Sequence, residues 1–292
     1  MTAPARADPA DVLDYLDGQR AKMVHVLERM TLSESPSDDP ACQFEIREII
    51  ASELEQRGFM VHRVPGRNSG GMLHARPHNR RRDKPAQMIL GHYDTVWPVG
   101  TLADMPFEFV DDTVKGPGVY DMKGGVAQAL LAIDALQHFG LEPEVTPHVF
   151  FNSDEEIGSR ESRRYIERLA PGMDRVFVLE PSLGHAGKLK TARKGIGRFT
   201  VTVSGEAAHA GLDPGAGASA ILELSHVIQE LFALNDLDRG ISVNVGTIDG
   251  GLRPNVVAPR SEAVVDVRVA TAADAERIEA AIRGLKPAIA GT

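Results

Sequence analysis

The sequence has 292 residues, of which 42% are hydrophobic and 25% charged, and its formal net charge is −9 at pH 7. This length predicts two domains at roughly 150 residues each, the near-average composition excludes a disordered chain, and the negative charge argues against a general nucleic-acid-binding protein. No apolar run approaches the ~18 residues of a membrane span. Cys42 is the only cysteine, which excludes internal disulfides and cysteine-based zinc sites. Residues 1–9 contain no apolar signal-peptide segment, so we expect a cytoplasmic protein.

The first part of the chain alternates predicted helices with short apolar strands. Apolar residues at helical spacing predict helices over residues 11–29 (interrupted near Gly18), 44–57, 123–139 and 162–169. Apolar runs predict strands over residues 59–64, 88–91, 146–151 and 175–179. This alternation is typical of an α/β layer with a largely parallel sheet.

Residues 76–84 form a basic segment with two interpretations. It is either a phosphate or nucleic-acid contact or a solvated hairpin loop between two strands. No aromatic residue lies among its charges, which favours the hairpin loop.

The pattern changes after about Lys190. Strands are predicted over residues 197–204, 241–248 and 262–269, and helices over residues 218–234 and 273–285. This β-α-β-β-α order predicts a small open sheet with helices on one face. We therefore expect one domain over residues 1–189 and a second over residues 190–292.

Acidic residues and one histidine follow the predicted strands or precede a helix. They are His92, Asp94, Asp121, Asp154, Glu155, Glu156 and Glu180. Because open parallel sheets form their sites beyond the carboxyl ends of the strands, we expect these groups on one rim. Carboxylates crowded in this way repel one another unless a cation compensates them.

The donor types in this set suit a metal ion. One imidazole and several carboxylates are typical ligands of Zn²⁺, with Co²⁺ or Mn²⁺ as alternatives. Asp121 has two oxygens that can bridge two ions about 3.5 Å apart, and such a pair polarises a carbonyl and activates water. Taken singly, His92 is more often a structural histidine, Asp121 a helix cap, Glu155 and Glu156 a charged loop, and Glu180 a turn residue. Their joint occurrence in four separate segments, each after a predicted strand or before a predicted helix, favours the metal site.

The motifs around these residues resemble the M20 family of metallopeptidases and amide hydrolases, in both order and spacing, over roughly residues 44–269. The matching segments are residues 91–96, 116–125, 154–159 and 180–182. The run from His92 to Pro98, followed by residues 100–102, is most similar to the glutamate carboxypeptidase branch. The resemblance implies a zinc-peptidase-like catalytic domain with a mostly parallel central sheet and a smaller α+β (ferredoxin-like) lid that forms a homodimer.

The resemblance also implies roles for these residues. His92, Asp121 and Glu180 would bind one Zn²⁺, and Asp121 and Glu156 a second one. Glu155 would be the general base that takes a proton from water and passes it to the leaving amine. Asp94 would orient the His92 imidazole.

The second predicted domain contributes candidates for substrate binding. By resemblance, His209 would reach across from a partner subunit to stabilise an oxyanion, although taken alone it is an ordinary turn histidine. Asn255 would contact substrate, and Arg253 and Lys194 are candidate ligands of a substrate carboxylate.

We therefore expect a metal-dependent hydrolase that releases a C-terminal amino acid, such as glutamate, from a small peptide or N-acyl amino acid. The alternatives are an N-acyl-amino-acid deacylase of the same family, or an inactive homologue that binds only metal or a partner. Family chains normally continue beyond this point and supply another histidine to the metal held by Glu156. By resemblance, this chain is expected to be C-terminally truncated and to lack that ligand.

Overall fold

The computed structural model describes residues 7–80, 83–184 and 186–292. The chain forms two compact units, the first running to residue 185 and the second spanning Ala186–Thr292. In the described ranges, every helix is too short or too polar to cross a membrane.

The first unit contains five α-helices and seven strands within its described residues. The helices are α1 (Pro9–Gly18), α2 (Arg20–Leu32), α3 (Gln43–Gln56), α4 (Gly124–His138) and α5 (Arg163–Leu169). The strands are β1 (Phe59–Val64), β2 (Met72–Pro77), β3 (Ala86–His92), β4 (Glu108–Val110), β5 (Thr113–Lys115), β6 (Thr146–Asn152) and β7 (Arg175–Val178). The predicted helices and strands are present, with bounds shifted by a few residues, and the structure adds β2, β4 and β5.

The central sheet of this unit has the order β1-β2-β6-β3-β7. Strands β6 and β7 both run parallel to β3, whereas β2 pairs antiparallel with β1 and β6. The predicted α/β fold is confirmed, and the strands that precede the candidate site residues form the parallel side of the sheet. Their carboxyl ends therefore meet at one edge.

The hairpin predicted for residues 76–84 is wrong, because β6 lies between β2 and β3. All seven residues of β6 are buried, as expected of a central strand covered on both faces. The segment is thus a connection between strands that are not neighbours. Arg81 and Arg82 within it lie outside the described residues.

The two faces of the central sheet are covered by different helices. Val149 and Phe151 of β6 face a core formed by apolar side chains of α2, α3 and α4, whereas Phe150 faces Tyr165 and Ile166 of α5. This alternation follows from the two-residue period of a strand. Full burial of each large apolar side chain contributes about 1.5–3 kcal/mol, which holds the strand ends in place.

The second unit is a three-stranded antiparallel sheet with two helices. Its elements are β8 (Gly195–Ser204), α6 (Ala220–Ala233), β9 (Ser242–Gly250), β10 (Arg260–Val269) and α7 (Ala272–Arg283), with sheet order β8-β10-β9. Every second residue of β10 is buried, and these residues share one core with Leu231 of α6 and Ile278 of α7. The predicted β-α-β-β-α order and the packing of helices on one face are confirmed.

Candidate metal centre

Backbone packing at the sheet edge brings the segments of the site together. Strand β3 ends at His92, and the Leu179 N–H, just beyond β7, donates to the Leu90 carbonyl at 3.1 Å. Gly125 near the start of α4 lies so close to Leu179 that an added Cβ would be 2.1 Å from the Leu179 carbonyl oxygen. A glycine here therefore allows α4 to approach the residue directly before Glu180.

A glycine also positions the segment that carries Asp121. Gly118 has φ of 72°, a left-handed conformation that glycine adopts at little cost. A Cβ at Gly118 would lie 2.5 Å from Cγ2 of Thr95, so the segment packs directly against the residue that follows Asp94. The peptide bond between Asp121 and Met122 is cis.

His92 is the centre of the acidic cluster. Its Nε2 lies 3.3 Å from Oδ1 of Asp121, 3.6 Å from Oε1 of Glu180 and 3.9 Å from Oε2 of Glu155. Three residues, His92, Asp121 and Glu180, each offer one ligand atom, and these atoms lie within 4.8 Å of one another. His92 is buried, Glu180 is partly buried and Asp121 is exposed, so the cluster opens to solvent on its Asp121 side.

The spacing of these donor atoms fits a divalent cation. Zinc binds nitrogen and carboxylate oxygen at about 2.0–2.2 Å in tetrahedral geometry, which places neighbouring donors about 3.3 Å apart. The distances of 3.3 and 3.6 Å from His92 Nε2 to the two carboxylates match this spacing. Glu156 is not a member of this three-residue cluster. Its assignment to a second ion stays a prediction.

Asp94 lies on the other side of the His92 ring. Nδ1 of His92 is 3.0 Å from the carbonyl oxygen of Asp94 and 3.3 Å from its Oδ1. When Nδ1 carries the ring proton and donates a hydrogen bond to Asp94, the Nε2 lone pair faces the acidic cluster. Asp94 also accepts from the N–H groups of Glu155 at 3.3 Å and Glu156 at 3.2 Å. One buried carboxylate therefore contacts both the histidine and the loop that carries the predicted general base.

Two side chains that the sequence analysis did not identify support this arrangement. Oγ of Ser37 donates to Oδ2 of Asp94 at 2.6 Å. Gln43 is fully buried, and its amide donates to the Pro36 and Ser153 carbonyls and accepts from the Gly70 N–H. A single serine or glutamine forms no distinctive spacing pattern in the sequence. The supporting roles of Ser37 and Gln43 therefore could not be predicted from it.

Crowding changes the ionisation of the cluster. Burial, with nearby Asp121, raises the pKa of Glu156 to about 7 and that of Glu180 to about 6, while His92 opposes both shifts. Burial opposes protonation of His92, but its contacts with Asp121 and Asp94 outweigh burial and raise its pKa to about 11. A bound cation would reverse these shifts, because it favours ionised carboxylates and a neutral imidazole.

Lys123 is a further buried charge near the cluster that the sequence analysis did not single out. Its Nζ donates to the Ser33 carbonyl at 3.3 Å. Burial lowers its pKa to about 7, although Glu34 and Asp94 oppose the shift. Lys123 follows Asp121 by two residues and is 1% exposed.

The predicted substrate-binding residues lie on two neighbouring segments of the second unit. His209 pairs with Val256 in an antiparallel bridge, and Ala210 N–H donates to the carbonyl oxygen of Asn255. Nδ1 of His209 accepts from the N–H groups of two residues beyond it, which closes a turn. Arg253, Asn255 and His209 are exposed, and their substrate contacts stay predictions.

Sequence comparisons relate the chain to peptidases. The family model for the peptidase dimerisation domain (M20_dimer) matches residues 191–286. Carboxypeptidase G2 of Pseudomonas sp. (strain RS-16) is 30% identical over 258 residues, which cover 86% of this chain and 61% of that protein. A probable carboxypeptidase of Uncinocarpus reesii is 27% identical over 274 residues, which cover 82% of this chain and 60% of that protein. The chain thus spans about three fifths of the length of these two relatives.

Solved structures share the fold at low sequence identity. The aminopeptidase PepT of Bacillus cereus has a TM-score of 0.70 and 19% identity, covering 90% of this chain and 70% of that one. An M20 family metallo-carboxypeptidase of Sulfolobus solfataricus has a TM-score of 0.65 and 17% identity, covering 92% of this chain and 76% of that one.

Proposed function

We propose that the chain belongs to the M20 peptidase family and acts as a metal-dependent hydrolase of amide bonds. We propose as its reaction the release of a C-terminal amino acid, such as glutamate, from a small peptide or an N-acyl amino acid. The observation that carries this proposal is the convergence of His92, Asp121 and Glu180 within 4.8 Å. The carboxypeptidases among its relatives favour this reaction over the deacylation of N-acyl amino acids.

In this proposal His92, Asp121 and Glu180 hold one Zn²⁺, and Asp121 with Glu156 holds a second. When bound, the ions supply Lewis-acid polarisation of the scissile carbonyl and a lowered pKa for water. Asp94 keeps the Nε2 lone pair of His92 directed at the cluster through its contacts with Nδ1.

Glu155 is the proposed general base. Its Oε2 lies 3.9 Å from Nε2 of His92, at the edge of the cluster, and its side chain is 45% exposed. It accepts a proton from the attacking water and passes this proton to the leaving amine. The bond from its N–H to Asp94 holds the loop that carries it.

The second unit supplies the proposed substrate contacts. The guanidinium of Arg253 would pair with a substrate carboxylate, Asn255 would hydrogen-bond the substrate, and His209 would stabilise the oxyanion from a partner subunit. The match to a dimerisation domain supports a homodimer.

Metal analysis combined with two variants tests the proposal. We expect protein prepared without chelator to contain Zn²⁺, Co²⁺ or Mn²⁺, and His92→Ala to lose most of this metal. Glu155→Gln should retain the metal but hydrolyse an N-acyl-L-glutamate about 10²–10⁴-fold more slowly. Glu167→Gln is the matched control, because Glu167 is an exposed residue of α5 that pairs with Arg163.

Two results would contradict the proposal. One is a chain that binds none of these metals. The other is a Glu155→Gln variant that hydrolyses the substrate as fast as the parent. An N-acyl-L-lysine in place of the N-acyl-L-glutamate tests specificity, and we expect this substrate to be hydrolysed at least tenfold more slowly.

A further inference from the structure

A second polar cleft lies next to the loop that carries Glu155 and Glu156. Its volume is about 510 Å³, and it is lined by residues that include three arginines and the two residues flanking that glutamate pair. We call it the arginine cleft and define it by Asp38, Arg67, Asp154, Arg160, Glu161 and Arg164. Its size falls within the range of small-molecule sites.

Among the described residues, the three arginines of this cleft form no close ion pair with the carboxylates of its own walls. Within residues 7–80, 83–184 and 186–292, no carboxylate oxygen lies within 4.0 Å of a guanidinium nitrogen of Arg67, Arg160 or Arg164. The guanidinium of Arg164 contacts Tyr165, donating to its hydroxyl at 3.1 Å. Three guanidinium groups therefore remain available to an anionic ligand.

Glu161 is in the cleft, but it is engaged by the protein. Its carboxylate accepts from the N–H groups of Arg67 at 2.7 Å and Asn68 at 3.2 Å, and from Oγ of Ser69 at 2.8 Å. These hydrogen bonds fasten one wall of the cleft to the other, and against the effect of burial they and the more distant charge of Arg164 lower the pKa of Glu161.

Asp154 offers an acceptor that is not used. Its Oδ2 accepts from the N–H groups of Glu161 at 2.6 Å and Ser162 at 3.1 Å. Its Oδ1 is buried and has no hydrogen-bond partner among the described residues, and the whole residue is 1% exposed. A buried carboxylate oxygen favours a donor, and a charged donor such as an ammonium group binds it more strongly than a neutral donor does.

We propose that the arginine cleft binds an acidic amino acid. The two carboxylates of the ligand pair with guanidinium groups of Arg67, Arg160 and Arg164, since this fork matches carboxylate geometry. The ammonium of the ligand lies on the Asp154 side, with the exposed carboxylate of Asp38 nearby in the same cleft. The choice of L-glutamate as the ligand rests on the proposed function, because the hydrolase would release this product near the loop of Glu155 and Glu156, which adjoins the cleft. The site itself does not depend on hydrolysis.

Calorimetric titration of the metal-free full chain tests the site. Chelator-treated protein is used, because glutamate then has no metal ion to bind at the His92 cluster. We expect L-glutamate to bind at a ratio of one per chain, and glutarate, which lacks the ammonium, to bind at least tenfold more weakly. Arg160→Gln and Arg164→Gln should each weaken L-glutamate binding at least tenfold. Arg168 is an exposed arginine on the same helix as Arg164 but outside the cleft, so Arg168→Gln should change binding less than twofold.

Three outcomes would overturn the proposal. The first is no saturable binding of L-glutamate to the folded metal-free chain. The second is equal binding of L-glutamate, glutarate and inorganic phosphate, which would identify an unspecific anion patch. The third is unchanged L-glutamate binding by Arg160→Gln and Arg164→Gln variants whose urea midpoints match the parent. A chain that binds no metal or hydrolyses no substrate would contradict the proposed function, yet it would leave this titration fully interpretable.

Discussion

Replacing Gly125 with alanine is expected to separate two of the proposed metal ligands. The added Cβ would lie 2.1 Å from the Leu179 carbonyl oxygen, whereas ordinary van der Waals contact begins at about 3.4 Å. The backbone fixes the position of the added Cβ, and the Leu179 oxygen belongs to the backbone, so no side-chain rotation can relieve the overlap. The start of α4 and the end of β7 must therefore move apart by about 1.3 Å.

This displacement is large for a metal site. Glu180 directly follows Leu179, and Asp121 lies four residues before Gly125, so the movement acts on both carboxylates. Metal–ligand distances tolerate deviations of about 0.2 Å. We expect the Zn²⁺ affinity to fall by about 10–100-fold, which is about 1.4–2.8 kcal/mol. The metal-free chain should in addition lose about 1–3 kcal/mol of unfolding free energy through overpacking.

Competition between the protein and a chromophoric chelator measures the Zn²⁺ affinity, and urea unfolding of the metal-free chain measures stability. Gly172→Ala is the matched control, because a Cβ at Gly172 would meet nothing within 4 Å. We expect this control to bind Zn²⁺ like the parent. If Gly125→Ala folds and binds Zn²⁺ within twofold of the parent, the close contact between α4 and Leu179 does not position the ligands.

Two further substitutions test the surroundings of the site and the sheet. Ser37→Ala removes the 2.6 Å hydrogen bond to Asp94 and should lower the urea-derived unfolding free energy by about 2 kcal/mol; an unchanged value would contradict a supporting role. Burial, with the charge of His74, lowers the pKa of His148 to about 4, below the ordinary value of 6.5. The unfolded chain then binds this proton first as the pH falls, so stability is lost between about pH 6.5 and 4. His148→Gln should reduce this loss of unfolding free energy by about 1–2 kcal/mol, whereas the exposed control His25→Gln should show the same loss as the parent. Equal slopes of unfolding free energy against pH in the parent and in His148→Gln would contradict a role of His148 in the loss.

The strand ends explain why much of the candidate site could be predicted from the sequence. His92 and Glu180 each come at or just after an apolar strand, and both strands belong to the parallel side of the sheet. Because parallel strands place their carboxyl ends at one edge, sequence position alone indicated that these side chains meet. Asp121 could be placed with them because it precedes a predicted helix in a glycine-rich segment.

Contacts between distant segments could not be predicted in this way. Ser37 and Asp94 are 57 residues apart, and a single hydroxyl–carboxylate bond leaves no periodic pattern in either segment. The turn-rich stretch around Ser37 was interpretable only as a break between helices.

The order of the strands in the central sheet could not be predicted from the sequence either. The apolar run of β6 predicts a buried strand, but a local pattern does not say which strands it pairs with. Strands β4 and β5 have three residues each and are almost entirely exposed, so they show no apolar alternation. Asp111 and Asp112, which both have positive φ, form their connecting turn without glycine.

The amide of Gln43 also has a consequence for the order of events in folding. It joins α3 to the carbonyl of Ser153, 110 residues away, and to the N–H of Gly70, 27 residues away. Each of these contacts requires closure of a chain loop, and the entropy of closure is lost before the contact forms. We therefore expect the loops that surround the proposed metal ligands to become fixed late in folding, after the central sheet has assembled. Substitution of Gln43 is accordingly expected to accelerate unfolding while leaving the rate of folding nearly unchanged.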